Sequence, residues 1–169
     1  MRRLAVFVVA GLMLALCGTE AASAGEGSWS RWEPTSQGAI TVAAGVVCPF
    51  GVSAEPVRQD LRIRYHTNDA GAVDGYEVTG PLVGRITNTE TGASVVRNLS
   101  GLGVVTLNPD GSYDALADGN FLLFFRTGDS PSNELLLLHG RTLLHGSPTG
   151  QKTLVSSTGR SEDLCKTLA

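Results

Sequence analysis

Turn-forming residues recur about every nineteen positions in the second half of this chain, at 89–92 (TETG), 108–111 (NPDG), 128–131 (GDSP) and 147–150 (SPTG). Each cluster offers the Asp, Asn, Pro or Gly that a reverse turn needs for its backbone angles or side-chain hydrogen bonds. The segments between them include YEVTGPLVGRITN, ASVVRNLSGLGVVTL, SYDALADGNFLLFF, NELLLLHGRTLLHG and QKTLVSSTGRSEDLC, and each has a glycine near its middle: Gly80, Gly101, Gly119, Gly140 and Gly159. Read as short strands, the chain would need about ten tight turns, several without turn residues; read as long strands bent at glycine, it needs only the four strong ones. The expected fold is all-β, an antiparallel meander of long Gly-kinked strands curled into a barrel-like sheet.

The hairpin across GDSP is the most apolar part of that meander, with FLLFF before the turn and LLLL after it. Alternation places Tyr113, Ala115, Ala117, Gly119, Phe121, Leu123 and Phe125 on one face of the first strand, a face compatible with an interior. The opposite face is polar at Asp114 and Asp118 but apolar at Leu122 and Phe124, and residues 135–138 are apolar on both faces. Both sides of the hairpin tip are therefore expected to be buried. The second face needs a cover, because an exposed apolar strand pair invites aggregation. The chain's own PFGVSAEPV segment, its tryptophan-bearing N-terminal segment, a partner protein or a small apolar ligand could supply it.

Upstream, Arg2 and Arg3 precede an apolar run of about 13 residues and then Ala22-Ser23-Ala24. That pattern reads as a signal peptide over residues 1–24, with cleavage near Ala24 and secretion of the remainder; the run is shorter than the roughly 18 residues a membrane-spanning helix needs. Arg2-Arg3 also permits a twin-arginine reading, whereas the bulky Leu16 argues against a lipoprotein site at Cys17. Removing Arg2, Arg3 and Glu20 from the 13 basic and 16 acidic residues leaves 11 against 15, an acidic balance that argues against nucleic acid as partner. Residues 25–37 show no apolar period and are expected as a flexible tail, and 38–169 as a single domain. AITVAAGVVC (39–48) and LRIRYH (61–66) are the first expected strands, while Pro49 and Pro56 argue against a central strand between them.

Two cysteines remain after residue 24, and an even pair in an exported chain reads as a disulfide, Cys48 to Cys165, with two buried thiols as the alternative. A bridge between the ends of the first and last strands would close the sheet.

The candidate polar site residues are Arg97, His139 and Arg141. If Glu134 faces water, Leu135, Leu137, His139, Arg141, Leu143 and His145 face inward, and polar groups inside a pocket are how small-molecule sites are built. A bulge at Gly140 would instead leave Arg141 and His145 in solvent. Arg97, between Val95 and Leu99, is a second interior charge or an exposed edge residue. Histidines six positions apart on a strand stand roughly 20 Å apart, too far for one metal ion, and no motif implies a cofactor. No serine sits in a Gly-x-Ser-x-Gly elbow. The candidate ligand-binding residues are Tyr113, Phe121, Leu123, Phe125 and Leu137.

TNTETGASVVRNLSG, NPDGSY, FLLFFRTGD and the closing STGRSEDLCKTLA resemble the small exported proteins of actinomycete bacteria. The resemblance covers most of residues 40–169. It implies export, a β-rich fold and the Cys48–Cys165 pairing, and it transfers no active-site residue. The function expected is a secreted non-catalytic binding or interaction module for a small apolar molecule or a protein partner. The alternative is a small extracellular barrel enzyme of isomerase or cyclase type using the interior polar residues.

Overall fold

The computed structural model describes residues 27–169, so the expected signal peptide and Cys17 lie outside the described residues. Among the described residues the fold is all-β, with a single four-residue helix. The strands are β1 (Ser28–Trp29), β2 (Glu33–Thr35), β3 (Ile40–Val42), β4 (Val52–Gln59), β5 (Leu61–Thr67), β6 (Val73–Gly80) and β7 (Leu82–Asn88). They continue as β8 (Ser94–Asn98), β9 (Gly101–Leu107), β10 (Tyr113–Phe125), β11 (Glu134–Gly146), β12 (Lys152–Thr158) and β13 (Ser161–Asp163), followed by helix α1 (Leu164–Thr167). No helix among these residues is long and apolar enough to cross a membrane.

The four strong turns all connect successive strands, and the mid-segment glycines are the bends. Gly80 stands opposite Gly101, Gly101 opposite Gly119, and Gly119 opposite Gly140, so the bends line up as one crease across the sheet. Gly80, Gly119, Gly140 and Gly159 all have positive φ there, between 92° and 132°. The close approach excludes a side chain as well: a Cβ on Gly119 would lie 2.7 Å from the Gly101 Cα.

At the crease the meander divides. One sheet runs β1-β5-β6-β9-β10-β11-β12, with β2 also on β5 and β13 on β11; the other runs β3-β4-β7-β8. All pairings between these strands are antiparallel. Among the described residues no closed barrel is found, because β1 and β12 end the larger sheet without pairing to each other.

Beyond the crease, the β10–β11 hairpin is a middle layer. On one side Leu122, Phe124, Leu135 and Leu137 pack against Val52, Ile86 and Val95 of the smaller sheet. On the other, Leu123, Phe125, Leu136 and Leu138 pack against Ala115, Leu144 and Leu154 of the larger sheet's proximal half. The hairpin tip folds down onto β12, where the Ser130 N–H donates to the Lys152 carbonyl at 2.8 Å and the Leu154 N–H to Ser130 at 2.7 Å. A strand covered on both faces gains from apolar residues at every position, which accounts for FLLFF and LLLL. The cover is the chain itself: Val47, Cys48, Phe50 and Val52 lie in this core with Leu164 and Leu168.

Several expectations require correction. Odd-numbered residues of β10 stand opposite even-numbered residues of β11, as in Phe121 with Leu138 and Leu123 with Leu136. Leu135 and Leu137 are thus on the face away from Phe121 and Phe125, because the connection between the strands sets their parity. Residues 39–48 form a strand only at Ile40–Val42. The proline-bearing segment is instead β4, a central strand; its Pro56 lies beyond the stretch paired with β3 and at a register shift against β7, where the missing N–H leaves no ladder bond unmade. Residues 28–35, expected as part of the tail, pair along β5. They are held there by the Arg64 guanidinium, 4.6 Å from the Trp29 ring centroid and 4.7 Å from that of Trp32. The disulfide Cys48–Cys165 is present, but it joins the 43–51 loop to α1 rather than two sheet edges.

Candidate functional site

β9 flanks β10 only as far as Gly119, so among the described residues β10 is paired from 121 to 125 on its β11 side alone. A cavity of about 270 Å³ lies beside that free edge, lined by Leu61, Val78, Leu82, Leu99, Phe121 and Phe124 among others. Gln37 and Glu55 are the polar side chains at its wall. Glu55 is engaged by Arg85, from which it accepts at 2.9 Å, and the Gln37 backbone, though not its side-chain amide, exchanges hydrogen bonds with the Gln59 side chain. A second hollow of about 260 Å³ continues along the edge toward the hairpin tip, between Ile40 and Val42 on one side and Leu122–Phe125 neighbours on the other. Ile40, itself 37% exposed, borders both.

The cavity opens onto the face of the larger sheet that carries Ile63, Tyr65, Tyr76, Val78, Val105 and Ala115, aligned by direct pairing across β5, β6, β9 and β10. Tyr113 shares that face two residues before Ala115, with its ring lying over Gly146. Burial raises the Tyr76 and Tyr113 hydroxyls above their ordinary pKa, with neighbouring Tyr65 adding to the first and Tyr76 and Asp129 to the second. Both phenols are therefore neutral throughout the ordinary pH range.

Of the ligand-binding residues expected from sequence, Phe121 lines the cavity, Leu123 borders the second hollow and Tyr113 lies on the open face. Phe125 and Leu137 are fully buried in the two cores, Phe125 also standing at the wall of the second hollow and Leu137 at neither hollow. Tyr65, Tyr76, Leu61 and Leu99 went unrecognised as site residues. The signal was present in LRIRYH and GYEV, whose alternation sets Tyr65 with Leu61 and Ile63, and Tyr76 with Val78, on one apolar face.

The polar candidates divide. Arg97 is on β8, the edge of the smaller sheet, and reaches across to Glu162 on β13 with two hydrogen bonds, Nε to Oε2 at 2.9 Å and Nη2 to Oε1 at 2.8 Å. This bidentate pair latches two strands that share no backbone pairing. His139 lies nearby, its Nδ1–H donating to Asn120 Oδ1 at 2.7 Å, and it makes the smallest of the contributions that lower the Glu162 pKa. Arg141 is exposed, and His145 pairs with Asp114 at the surface. Their exposure comes from the smaller sheet's cover ending at the crease; the β10–β11 register runs through Gly140 without a shift. Arg97, His139 and Arg141 therefore do not meet in one cavity. Among the described residues no group of three or more His, Cys, Asp or Glu side chains is placed to hold a metal ion.

The Arg97 hydrogen bonds hold the Glu162 carboxyl below its ordinary value of 4.5, outweighing the opposing effect of burial, with the Thr167 hydroxyl also contributing. A depressed folded pKa stabilises the protein above the unfolded value and loses that stabilisation as pH falls through the folded one. Stability is expected to decline below about pH 4.5. Glu162→Gln should flatten that decline and cost about 1 kcal/mol at neutral pH, measured by urea unfolding at pH 7 and pH 3.5. An unchanged pH profile in the variant would count against the latch. In comparisons with known proteins, the chain matches no family model, no curated protein and no solved structure.

Proposed function

We propose that the protein is an exported, non-catalytic binding module that takes a small apolar molecule in the cavity beside the free edge of β10. The observation that carries this reading is the cavity itself: an apolar hollow left open by a hairpin whose two faces are otherwise filled by the chain's own residues. At about 270 Å³ it falls just below the roughly 300–1,000 Å³ of most small-molecule sites, a size suited to one ring system or a short alkyl chain. The self-supplied cover of the hairpin favours this reading over a protein partner seated on the same strands. The commitment of Arg97 to Glu162 and the outward position of Arg141 favour it over the isomerase or cyclase alternative.

The test is titration of the chain from residue 25 with N-phenyl-1-naphthylamine, an uncharged apolar dye. Saturable binding of one dye per chain is expected, and Ile40→Trp should weaken it at least tenfold without lowering the melting temperature, since Ile40 is exposed at the cavity's edge. Absence of saturable binding, or an Ile40→Trp variant that binds as the parent does, would refute the cavity as the site.

A further inference from the structure

All three tyrosines of the chain, Tyr65, Tyr76 and Tyr113, share the open face beside the cavity. Tyr65 stands directly opposite Tyr76, their ring centroids 6.5 Å apart and their planes tilted by 55°. Tyr113 is on β10, two strands over from Tyr76 and one cross-strand position further along, opposite Leu107, where the missing side chain of Gly146 leaves room for its ring; a Cβ there would lie 1.9 Å from a ring carbon. Tyr65 is 38% exposed and the neighbouring Leu107 39%, so the row is open to solvent at the β5 and β9 positions.

The row and the cavity are parts of one surface. Val78 lines the cavity and Tyr76 lies two residues along the same strand face, about 7 Å away. The cross-strand row through Val78, formed by Ile63, Val78, Gly103 and Ala117, is the floor next to the tyrosines and carries no charge. At the far end, Lys152 stands opposite Gly146 and its ammonium pairs with the buried Asp129 carboxylate at 3.3 Å. That carboxylate also accepts the Arg126 and Lys152 backbone N–H groups, so the ammonium is already neutralised. Arg126, exposed at the hairpin tip, is the remaining charged group bordering the second hollow.

We propose that the tyrosine row is the second half of the ligand site and takes an uncharged, hydroxyl-bearing ring, making the ligand an amphiphile of the alkyl glycoside class. The alkyl chain fills the cavity, and the saccharide ring lies across Tyr65, Tyr76 and Tyr113. This assignment rests on the cavity reading above. Tyrosine suits such a ring for two reasons: its face packs against the ring's C–H groups, and its hydroxyl both donates and accepts hydrogen bonds. A charged head group finds no free counter-charge along the floor and would lose hydration there without repayment.

The experiment titrates the chain from residue 25 with octyl glucoside below its micelle concentration, alongside 1-octanol, octyl sulfate, octyltrimethylammonium and methyl glucoside. Octyl glucoside is expected to bind at least tenfold more tightly than 1-octanol and than either charged octyl compound. Tyr65→Ala, at an exposed position, should bring octyl glucoside close to the 1-octanol affinity; Tyr65→Phe should lose less. The proposal is overturned if octyl glucoside binds no better than 1-octanol, if octyl sulfate binds better than the glucoside, or if Tyr65→Ala has no effect. If the dye and 1-octanol both fail to bind, the cavity reading fails instead. Tyr65-dependent binding of methyl glucoside would in that case still support the tyrosine row.

Discussion

Gly140→Ala is expected to lower the melting temperature by about 10 °C or more, the loss expected from a cost of about 3 kcal/mol in a domain of this size. Gly140 has φ +92°, and a Cβ there would lie 2.2 Å from the Thr158 carbonyl oxygen. That carbonyl cannot move away cheaply, because Thr158 is paired with Arg141 in the β11–β12 ladder. On its other side Gly140 abuts Gly119, which is itself closed against Gly101 and Ser100. Backbone strain of this kind costs about 1–3 kcal/mol by itself, and displacement of the adjoining strand adds to it. A total stability of about 5–15 kcal/mol leaves little reserve for such a loss. The control is Gly92→Ala in the β7–β8 turn, where φ is +76° and a Cβ meets open space; its cost should be about 1–2 kcal/mol, the left-handed penalty alone. Thermal and urea unfolding of both variants decide the matter. Equal losses would mean that the crease tolerates side chains and that the bends are not set by glycine.

Removing the Cys48–Cys165 bridge should have an effect at least as large. The bridge joins residues 117 apart in sequence, and constraining so long a loop in the unfolded chain is worth about 5 kcal/mol in the chain-entropy description. A fall in melting temperature on the order of 10–20 °C follows. The location makes the loss specific. The 43–51 loop and α1 are short segments outside the main ladders, yet they insert Val47, Phe50, Leu164 and Leu168 into the core over the β10–β11 hairpin. Without the bridge both can lift away together and uncover that face. Cys48→Ala/Cys165→Ala and the reduced parent protein are expected to melt alike and to bind apolar dye at temperatures where the oxidised parent does not. A double variant melting within 2 °C of the parent, on the scale of a loss below about 1 kcal/mol, would show that packing alone secures the plug.

Much of this architecture was readable from local chemistry. TETG, NPDG, GDSP and SPTG each place a strand reversal because their residues favour turn angles whatever surrounds them. Gly80, Gly119, Gly140 and Gly159 mark the bends because positive φ at a crowded site excludes other residues. The apolar character of both hairpin faces required burial on both sides, and the two cores meet that requirement. The pairing of Cys48 with Cys165 followed from their number once the leading segment was set aside.

The tertiary structure decided what those local rules leave open. An alternating strand shows that it has two faces, but it does not say which face meets which partner; the β10–β11 connection set that parity and moved Leu135, Leu137 and His139 away from Phe121. Pro56 was compatible with a central strand only because β3 ends before reaching it. The candidate site was half legible for the same reason. Tyr113, Phe121 and Leu123 could be grouped because they alternate within one strand, whereas Tyr65, Tyr76, Leu61 and Leu99 join them through pairings between distant segments. The sequence by itself determined where the chain turns, bends and must be buried, since those depend on the conformational freedom and polarity of each residue. Which strands flank one another, and hence the open edge of β10 and the hollow beside it, was decided only when strands far apart in the chain competed for the same two faces of the hairpin.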